Sequence, residues 1–451
     1  MIQVTEETDL HLAAFERLEK KRDARAPRWL VKLRTEGIES FAKLGFPTTR
    51  EEAWRYTNVA PIAKTQFVEP PAGDPAPAVA SEVERLTFGP WAAIRLAFVN
   101  GRFSRKLSQL ECLPPGVTLS NMAEALAATP GALEPHLGRH ADHGRHAFAA
   151  LNTAFLSDGA FLSISNGITV ATPIHLVFIS SSAGSGGAPT ISHPRVLIVA
   201  GESSRATVVE SYVGPDHDLY LTNAVTEIVA LRDSIVDHYR LQRESHDAFH
   251  TTTTEIAAGR GSRVTSTAVS LGAALARNDV RGLLAEEGAD CTLNGLYVLH
   301  GSQHVDNHTL FDHAKPHGTS RELYKGVLDG RSRGVFDGTV IVREDAQKTD
   351  SRQENRNLIL SSEALVDSKP TLQIHADDVK CSHAATTGQL DEQSMFYLRS
   401  RGIDVATARG IMIHAFVSDI IRRIKVDPVR IGLDCLLFTE LPSDLGRGLA
   451  P

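Results

Sequence analysis

The chain has 451 residues, of which 42% are hydrophobic and 22% charged, and these are ordinary proportions for a folded globular protein. Its 47 basic and 54 acidic residues give a formal net charge of −7, which argues against nucleic acid as the main partner. The polar opening lacks a secretory pattern and no window holds 18 apolar residues, so we expect neither export nor a membrane span. Four dispersed cysteines without a CxxC pair argue against a disulfide framework and favour a cytoplasmic location: Cys112, Cys291, Cys381 and Cys435.

The N-terminal region, residues 1–68, is predicted to be helical. Pro27 suits a first helical position, Gly45 suits the position just past a helix end, and apolar residues between them recur at helix-like spacing. Residues 69–159 are interpreted as a linker followed by a mixed α/β segment. The first part, EPPAGDPAPAVAS at 69–81, is rich in Pro and Ala, which is typical of an exposed loop.

Between residues 160 and 388 the pattern changes to short strands. Runs such as HLVFI at 175–179, RVLIVA at 195–200 and ATVVESYV at 206–213 are rich in β-branched residues and are separated by turns rich in Gly, Asp and Ser. This region is therefore predicted to form the β core of the protein.

A repeat runs through this β region. Small residues that lead directly into a strand recur at steps of 26 to 31 residues: Ser204, Ser234, Ser262, Ala289, Ser320, Ala346 and Ala376. A period of this length that carries strands and no helices suggests a parallel β-solenoid with one turn per repeat, in which these residues would stack. The spacing alone leaves a β-sandwich equally open.

Residues 389–451 are predicted to form a C-terminal helical domain. Asp391 can cap a short helix that stops at Gly402, and Asp404 can cap a second helix that runs to about Lys425. One face of the second helix is apolar, and either a partner or the neighbouring β core could cover it.

The densest histidine run combines imidazole and carboxylate groups, which are good ligands for zinc or iron: His304, Asp306, His308, Asp312, His313 and His317. An even spacing would keep His304 and His308 on one face of a strand. Because the spacing fixes no third ligand, we favour the alternative of turn and surface histidines that bond to the backbone.

A second constellation is Cys381-Ser382-His383. In a strand, Cys381 and His383 point to the same face, and thiolate and imidazole are both iron–sulfur ligands. The alternative is a buried apolar cysteine beside a hydrogen-bonded histidine. No third orienting group marks a Cys–His hydrolase, and no GxxxxGK[ST] pattern marks a phosphate-binding loop.

Several long segments of the chain resemble the SufD family of the sulfur-mobilisation (Suf) system. The block from PHGTSRELYKG at 316–326 to CSHAATTG at 381–388, followed by LDEQSMFYLRSRGID, resembles the C-terminal half of the family. FVNGRFS at 98–104 and ALNTAF at 150–155 also match. The family's GxPxxxxExWxYT element is matched by Gly45, Pro47, Glu52, Trp54, Tyr56 and Thr57.

The resemblance implies a mainly β fold, a right-handed parallel β-helix flanked by an N-terminal helical region and a small C-terminal helical domain. It also implies a non-catalytic scaffold for iron–sulfur cluster assembly that pairs with the paralogue SufB through the β-helices. The C-terminal domain would dock the ABC-type ATPase SufC, on a face that contains Ile413, Phe416, Val417 and Ile420.

The resemblance further implies that His383 interacts with iron or with a transient cluster at the interface with SufB, and that Cys381 is its neighbour in this role. Reduced flavin is linked to the family's complex, but no flavin site can be placed in this sequence. The isolated chain could also form a homodimer.

Three alternative functions stay open. The paralogue SufB shares the architecture but is typically longer and richer in cysteine. A β-helix lyase or hydrolase acting on carbohydrate would use turn carboxylates, although no carboxylate pair stands out here. The third alternative is a structural adaptor that takes no part in cluster chemistry.

Overall fold

The computed structural model describes residues 6–21, 26–70, 77–110, 113–183 and 185–439. The helices are α1 (Glu6–Lys21), α2 (Arg28–Leu44), α3 (Ala60–Lys64), α4 (Pro77–Leu86), α5 (Met122–Ala128), α6 (Pro130–Leu133), α7 (Ala147–Ala154), α8 (Glu392–Ser400), α9 (Val405–Ile421) and α10 (Asp427–Thr439), with a 3₁₀ turn at Glu52–Trp54. None of the helices within these ranges is long and apolar enough to cross a membrane.

The strands are β1 (Ile94–Val99), β2 (Arg102–Phe103), β3 (Val117–Asn121), β4 (Gly159–Ile164), β5 (Ile174–Ile179), β6 (Thr190–Ser192), β7 (Arg195–Ala200), β8 (Arg205–Val213), β9 (Tyr220–Ala230), β10 (Ile235–Arg243), β11 (Phe249–Ala258), β12 (Arg263–Ser270), β13 (Leu275–Leu284), β14 (Asp290–Leu299), β15 (His304–His313), β16 (Thr319–Leu328), β17 (Arg333–Val342), β18 (Asp350–Ile359), β19 (Leu365–Ile374) and β20 (Lys380–Gly388).

The strands form two sheets around one interior, and the chain alternates between them. Sheet I stacks β8, β10, β12, β14, β16, β18 and β20, and sheet II stacks β7, β9, β11, β13, β15, β17 and β19. Neighbours in both stacks are parallel. The prediction of a mainly β, parallel solenoid with helices at both ends is therefore confirmed, and the sandwich alternative is wrong.

The repeat found in the sequence corresponds to the coils of this β-helix. Ser204, Ser234, Ser262 and Ala289 immediately precede consecutive strands of sheet I. The carbonyl of each accepts a hydrogen bond from the first amide of the strand one coil further on, at 2.8 to 2.9 Å. These four predicted anchors therefore stack as expected.

The other three anchors are out of this stack. Ser320 lies inside β16, where it aligns with Cys291 and Ser351 instead. Ala346 and Ala376 are buried in the turns before β18 and β20. The cause is that turn length varies between coils, so an equal spacing in sequence does not give an equal position in the coil.

The sheets begin before the predicted core. β1 pairs in parallel with β5 of sheet I, and β3 pairs antiparallel with β4 of sheet II. In the preceding region, α2 lies between Pro27 and Gly45, whose φ is 64°. The predicted loop at 69–81 differs, because α4 begins at Pro77, where proline suits a first helical turn; residues 71–76 lie outside the described residues.

The N-terminal region lies across the outer face of sheet II. A segment that we call the brace, residues 51–62, makes its main polar contacts there. The Trp54 ring stacks on the Arg277 guanidinium at 3.8 Å, and the Thr57 hydroxyl donates to Asp306 at 2.6 Å. The brace is thus fixed to two neighbouring coils, β13 and β15.

The C-terminal helices begin where the sequence predicts. The side chains of Asp391 and Asp404 accept from the amides of Ser394 and Thr407 and cap α8 and α9. Gly402, with a φ of 84°, follows α8. The second helix is shorter than predicted, because it ends at Ile421 rather than near Lys425.

The predicted docking face of α9 needs correction. Ile413, Val417 and Ile420 are 1%, 0% and 0% exposed, because they pack on the outer face of sheet I together with residues such as Tyr239 and Leu296. Phe416, the fourth predicted residue, is half-buried beside them. A side chain that the β-helix already covers cannot contact a partner, so the covering by the β core is the correct alternative for this face.

Candidate functional site: the open end of the β-helix

The last coil leaves both sheets open on one side. In the described part of the chain, β20 pairs only with β18, and β19 pairs only with β17. Most side chains of β20 are exposed and most of β19 are half-buried, whereas those of the coils before them are largely buried. The backbone groups on the outer side of an edge strand can pair with another chain.

His383 lies on β20 in a column of residues that face the interior. Parallel register aligns Leu293, Glu322, Gln353 and His383 on successive coils of sheet I. Side chains alternate along a strand, and Glu322 and Gln353 are buried at 4% and 0% exposure. His383 occupies the same position one coil later and is exposed, because no coil of this chain covers it.

Cys381 lies in the adjacent interior column, two residues before His383. Register aligns it with Cys291, Ser320 and Ser351, and its side chain packs against the main core. It carries a free thiol and is half-buried. Partial burial raises the pKa of this thiol, and a backbone contact at Ser351 offsets part of the effect. The two residues share one face, as strand alternation predicts.

This pair can supply two soft or borderline donors to iron, one imidazole nitrogen and one thiolate sulfur. Among the described residues, no group of three or more His, Cys, Asp or Glu side chains is arranged to hold a metal ion. A cluster bound here would therefore be cargo that needs further ligands from outside this chain.

The histidine run forms no joint ligand set. His304 contacts the Thr57 hydroxyl at 2.9 Å, and His308 contacts Asp306 at 3.0 Å, both on the outer face under the brace. His313 points to the other side and contacts Ser320 at 2.9 Å. These three histidines therefore lie on a strand and contact side chains, which differs from the predicted turn and surface histidines bonded to the backbone.

A second exposed surface lies on the C-terminal helices. Large apolar side chains that are 48% to 75% exposed are spread over α8, α9 and α10: Phe396, Tyr397, Val405, Ile431 and Phe438. Isolated exposed apolar residues are common, but several on one small helical domain mark a candidate interaction surface.

The sequence of the chain matches two protein-family domains. Residues 178–416 match the SufBD core domain of the SUF system for FeS cluster assembly, and residues 6–176 match the SufBD protein N-terminal region. The first match alone covers more than half of the chain, so the chain belongs to the SufBD family of iron–sulfur cluster assembly proteins.

Individual relatives agree over nearly the full length. An iron–sulfur cluster assembly SufBD family protein of Synechocystis is 36% identical over 88% of this chain and 88% of its own length. The iron–sulfur cluster assembly protein SufD of Escherichia coli is 29% identical over 90% of this chain and 92% of its own. The chloroplastic protein ABCI7 of Arabidopsis thaliana is 31% identical over 89% of this chain and 84% of its own. The predicted resemblance to SufD is thus confirmed.

Sequence reasoning missed the two residues beneath His383. Glu322 and Gln353 precede it by two coils and one coil, and the Gln353 amide donates to the Glu322 carboxylate at 2.7 Å. Their spacing from His383, close to 30 residues per step, was a usable signal once the repeat had been recognised. It was hidden because the predicted anchors slip out of register at Ser320.

Proposed function

We propose that this chain is a non-catalytic scaffold subunit of a Suf complex, and that it presents His383 to iron or to a nascent cluster at an interface with a SufB-type paralogue. One observation carries the proposal: His383 and Cys381 lie together on the exposed edge strand β20, in columns that are sealed in every earlier coil. The family assignment supports a role in cluster assembly, and the exposure of β20 at the open end supports a site at this strand.

An open pair of edge strands suits a partner with the same architecture. Strand addition extends a sheet through backbone hydrogen bonds, and a second β-helix could extend both sheets at once. Leu365 and Ile374 on β19 are 59% and 41% exposed and would be covered by such a partner. A second copy of this chain has the same edges, so the isolated protein can form a homodimer through them.

Iron binding at His383 requires donors from the partner. A neutral imidazole binds iron through one ring nitrogen, and Cys381 adds a thiolate if the metal lowers its pKa. With only these two donors on the described residues of this chain, the remaining ligands come from the paralogue or from sulfide. The cluster is therefore assembled between subunits and released to an acceptor.

The ABC-type ATPase SufC is proposed to dock on the outer surface of α8, α9 and α10. This surface replaces the α9 face predicted from the sequence, since Ile413, Val417 and Ile420 face the β core. Its centre would include Phe396 and Ile431, which are 75% and 59% exposed. Because the chain has a net charge of −7, we propose that the complex does not bind nucleic acid, and we place it in the cytoplasm. If the complex binds reduced flavin, we assign no flavin site to this chain.

The main test compares complexes that contain the parent chain or His383→Ala. Both are co-expressed with the paralogue and the ATPase, checked for assembly by size-exclusion chromatography with light scattering, and reconstituted anaerobically with iron and sulfide. We expect normal assembly and a loss of most bound iron and visible absorbance in the variant. The matched control is His375→Ala, because His375 is also exposed beside β19 but lies in a turn.

The outcomes separate the alternatives. Equal iron content in parent and His383→Ala complexes would leave a structural adaptor, or an all-SufB site, as the correct function. If Ala384→Lys on β20 bound the paralogue as well as the control Ala415→Lys on α9 does, the open edge would not be the interface. Turnover of uronate polymers by the isolated chain would favour the carbohydrate-active alternative.

A further inference from the structure

Beneath His383 the interior of the β-helix contains a buried carboxyl that is not matched by a cation. Glu322 is 4% exposed, and one carboxylate oxygen, Oε2, accepts from the Gln353 amide at 2.7 Å. Among the described side chains, no polar atom lies within hydrogen-bond distance of its other oxygen, Oε1, or of the Gln353 carbonyl oxygen, although the Thr309 hydroxyl lies near the carboxyl. Buried polar atoms are normally paired, so two such oxygens in one place require an explanation.

In the part of the chain that the structure describes, no charged group faces Glu322 to compensate its charge. The polar or titratable groups that face it are the Thr309 hydroxyl of β15, the Gln353 amide of β18, the Cys291 thiol of β14 and the Tyr324 phenol of its own strand. Burial raises the pKa of Cys291 and of Tyr324 well above their ordinary values, so both stay neutral. His313, which contacts the neighbouring Ser320, is neutral as well, because burial lowers its pKa to about 4.

Such an environment holds Glu322 between its two charge states near neutral pH. Desolvation by burial raises the pKa of Glu322 to about 7, and the polar groups of Thr309 and Gln353 offset only part of this effect. A small change in the local potential is then enough to move the carboxyl from mostly protonated to mostly ionised.

The source of that change lies at the end of the same column. Glu322 and His383 are two coils apart in register, which corresponds to roughly 10 Å between their backbones. The interior between them is filled by Gln353, which is 0% exposed, so bulk water does not separate the two positions. A cation at His383 would therefore act on Glu322 through a medium of low polarity.

We propose that Glu322 is the internal countercharge for iron bound at His383, and that it ionises when a cation arrives at the end of the column and thereby strengthens cation binding. This inference rests on the proposed role of His383. Glu322 does not touch the metal; it is a positioning residue that acts through the electrostatic potential. When iron binds, the carboxyl O–H bond breaks and the proton passes to solvent, and when iron leaves, the proton returns.

Iron binding and ionisation of Glu322 are thermodynamically linked, and this linkage determines how the iron affinity depends on pH. If bound iron lowers the pKa of Glu322 by roughly one unit, which a charge at this distance readily does, ionised Glu322 strengthens iron binding by the same factor in return. The gain is then about tenfold at pH 8 and less than about twofold at pH 6, where Glu322 is mostly protonated without iron and about half protonated with iron.

The test uses the full chain in complex with its paralogue, as parent, Glu322→Gln and Glu354→Gln. Glutamine keeps the shape and an acceptor oxygen for Gln353 but cannot ionise. Glu354 is the matched control, because it lies on β18 next to Gln353 but faces outward between Arg352 and Arg356. Ferrous iron alone is titrated anaerobically at pH 6 and pH 8, with His383→Ala marking the fraction that binds at the site.

We expect Glu322→Gln to bind iron about tenfold more weakly than the parent at pH 8 and nearly equally at pH 6, and Glu354→Gln to bind like the parent. Infrared difference spectra give a second readout without iron: the parent should lose one protonated-carboxyl band between pH 6 and pH 8.5 that Glu322→Gln lacks.

The outcomes distinguish this inference from the function on which it rests. Iron that binds equally to the parent and to His383→Ala overturns both. Iron that needs His383 but binds Glu322→Gln and the parent equally at pH 8 overturns the countercharge alone. A Glu322 band that does not change up to pH 9 also overturns it, since a permanently protonated carboxyl cannot respond.

Discussion

The sealed coils and the last coil of the β-helix use the same positions with opposite results. Cys291 and Cys381 belong to one interior column, yet the first is 0% exposed and the second is half-buried. Gln353 and His383 belong to another, yet the first is 0% exposed and the second is exposed. Position within the coil is the same in each pair, so the presence of a following coil is what decides burial. Interior side chains such as Cys381 and His383 therefore become accessible at the last coil, where no further coil covers them.

Buried carboxyls occur in both regions of the interior but are paired differently. In the first coils, aromatic rings stack in a ladder, with Phe98 and Phe178 at 5.0 Å and Phe178 and Tyr212 at 4.9 Å between ring centres. Beside this ladder, the buried Glu210 carboxylate accepts from Tyr212 at 2.7 Å and contacts His238 at 3.1 Å, and its partners hold its pKa below the ordinary value despite burial. Nearer the open end, burial raises the pKa of Glu322, and its contact with the neutral Gln353 amide offsets only part of that effect.

The largest expected effect contrasts one column in the two regions. Phe311, Val340 and Leu372 align on β15, β17 and β19. Phe311→Ala should lower the free energy of unfolding of the isolated chain by about 3–5 kcal/mol, because it leaves a cavity in a sealed coil. Leu372→Ala should cost about 1 kcal/mol or less, because the side chain is only half-buried.

Urea unfolding of the isolated chain measures both losses. The paralogue is the control that sharpens this contrast: if it covers the last coil, Leu372→Ala should weaken the heterocomplex more than it weakens the isolated chain. Equal losses for Phe311→Ala and Leu372→Ala in the isolated chain would mean that the last coil is already covered in solution, for example by a second copy.

The next effect depends on pH. Since the folded-state pKa of Glu322 is raised to about 7, the protonated carboxyl contributes stability that is present below the unfolded pKa and is lost as pH rises through the folded pKa. Glu322→Gln should therefore gain about 2–3 kcal/mol relative to the parent between pH 5 and pH 8. Unfolding in urea at a series of pH values measures this difference.

Glu354 gives the control of opposite sign. Partial burial would raise its pKa, but Arg352 and Arg356 outweigh burial and lower the pKa instead. Ionised Glu354 contributes stability that is present above the pKa of the unfolded state and is lost as pH falls through the pKa of the folded state. Glu354→Gln should therefore change the free energy of unfolding at acidic pH and leave its pH dependence between pH 6 and pH 8 unaltered. A Glu322→Gln difference that does not vary with pH would contradict the assignment of the titrating group.

A smaller effect is expected for the brace. Trp54→Ala removes the ring that stacks on Arg277 and packs near Phe148, and should cost about 2 kcal/mol. Glu52 of the same segment pairs with Lys369 on β19 at 2.6 Å, so hydrogen exchange should rise at β19 as well as at β13. The control Trp54→Phe keeps a ring on the guanidinium and should lose about half as much stability. If hydrogen exchange in Trp54→Ala rose only at β13, the brace would not stabilise the last coil.

Much of this architecture could be predicted from the sequence. The period near 30 residues and the strand composition were enough to suggest a solenoid, and Asp391, Asp404 and Gly45 marked helix ends, because caps depend on neighbours within a few residues. The coil register was not predictable at Ser320, because a change in turn length shifts every later position. The apolar face of α9 was ambiguous for another reason: an apolar stripe predicts that the face is buried, but it does not say whether the β core or a partner protein covers it.

The candidate site shows the same limit. Alternation placed Cys381 and His383 on one face, and the end of the β pattern near residue 388 placed them in the last strand before the helices. The family resemblance assigned them a role, but none of these signals revealed that the face is interior. The buried Glu322 and Gln353 had no local signal, since their importance comes from alignment with His383 across coils. Interactions between distant residues become visible only when the register is known.

The smallest expected effect returns to the two aligned cysteines. Cys381→Ser should change the free energy of unfolding by about 0.5 kcal/mol or less, because water can reach the new hydroxyl at the open end. Cys291→Ser should cost about 1–3 kcal/mol, because it places the hydroxyl among apolar side chains of the sealed core.

Burial raises the pKa of both thiols, so alkylation of the folded chain should be slow at Cys381 and require global unfolding at Cys291. Peptide mass mapping after timed alkylation measures both rates, and the paralogue should slow only the reaction at Cys381. If Cys291 reacted as fast as Cys381, the interior would be open well below the last coil, and the contrast between the two regions would not hold.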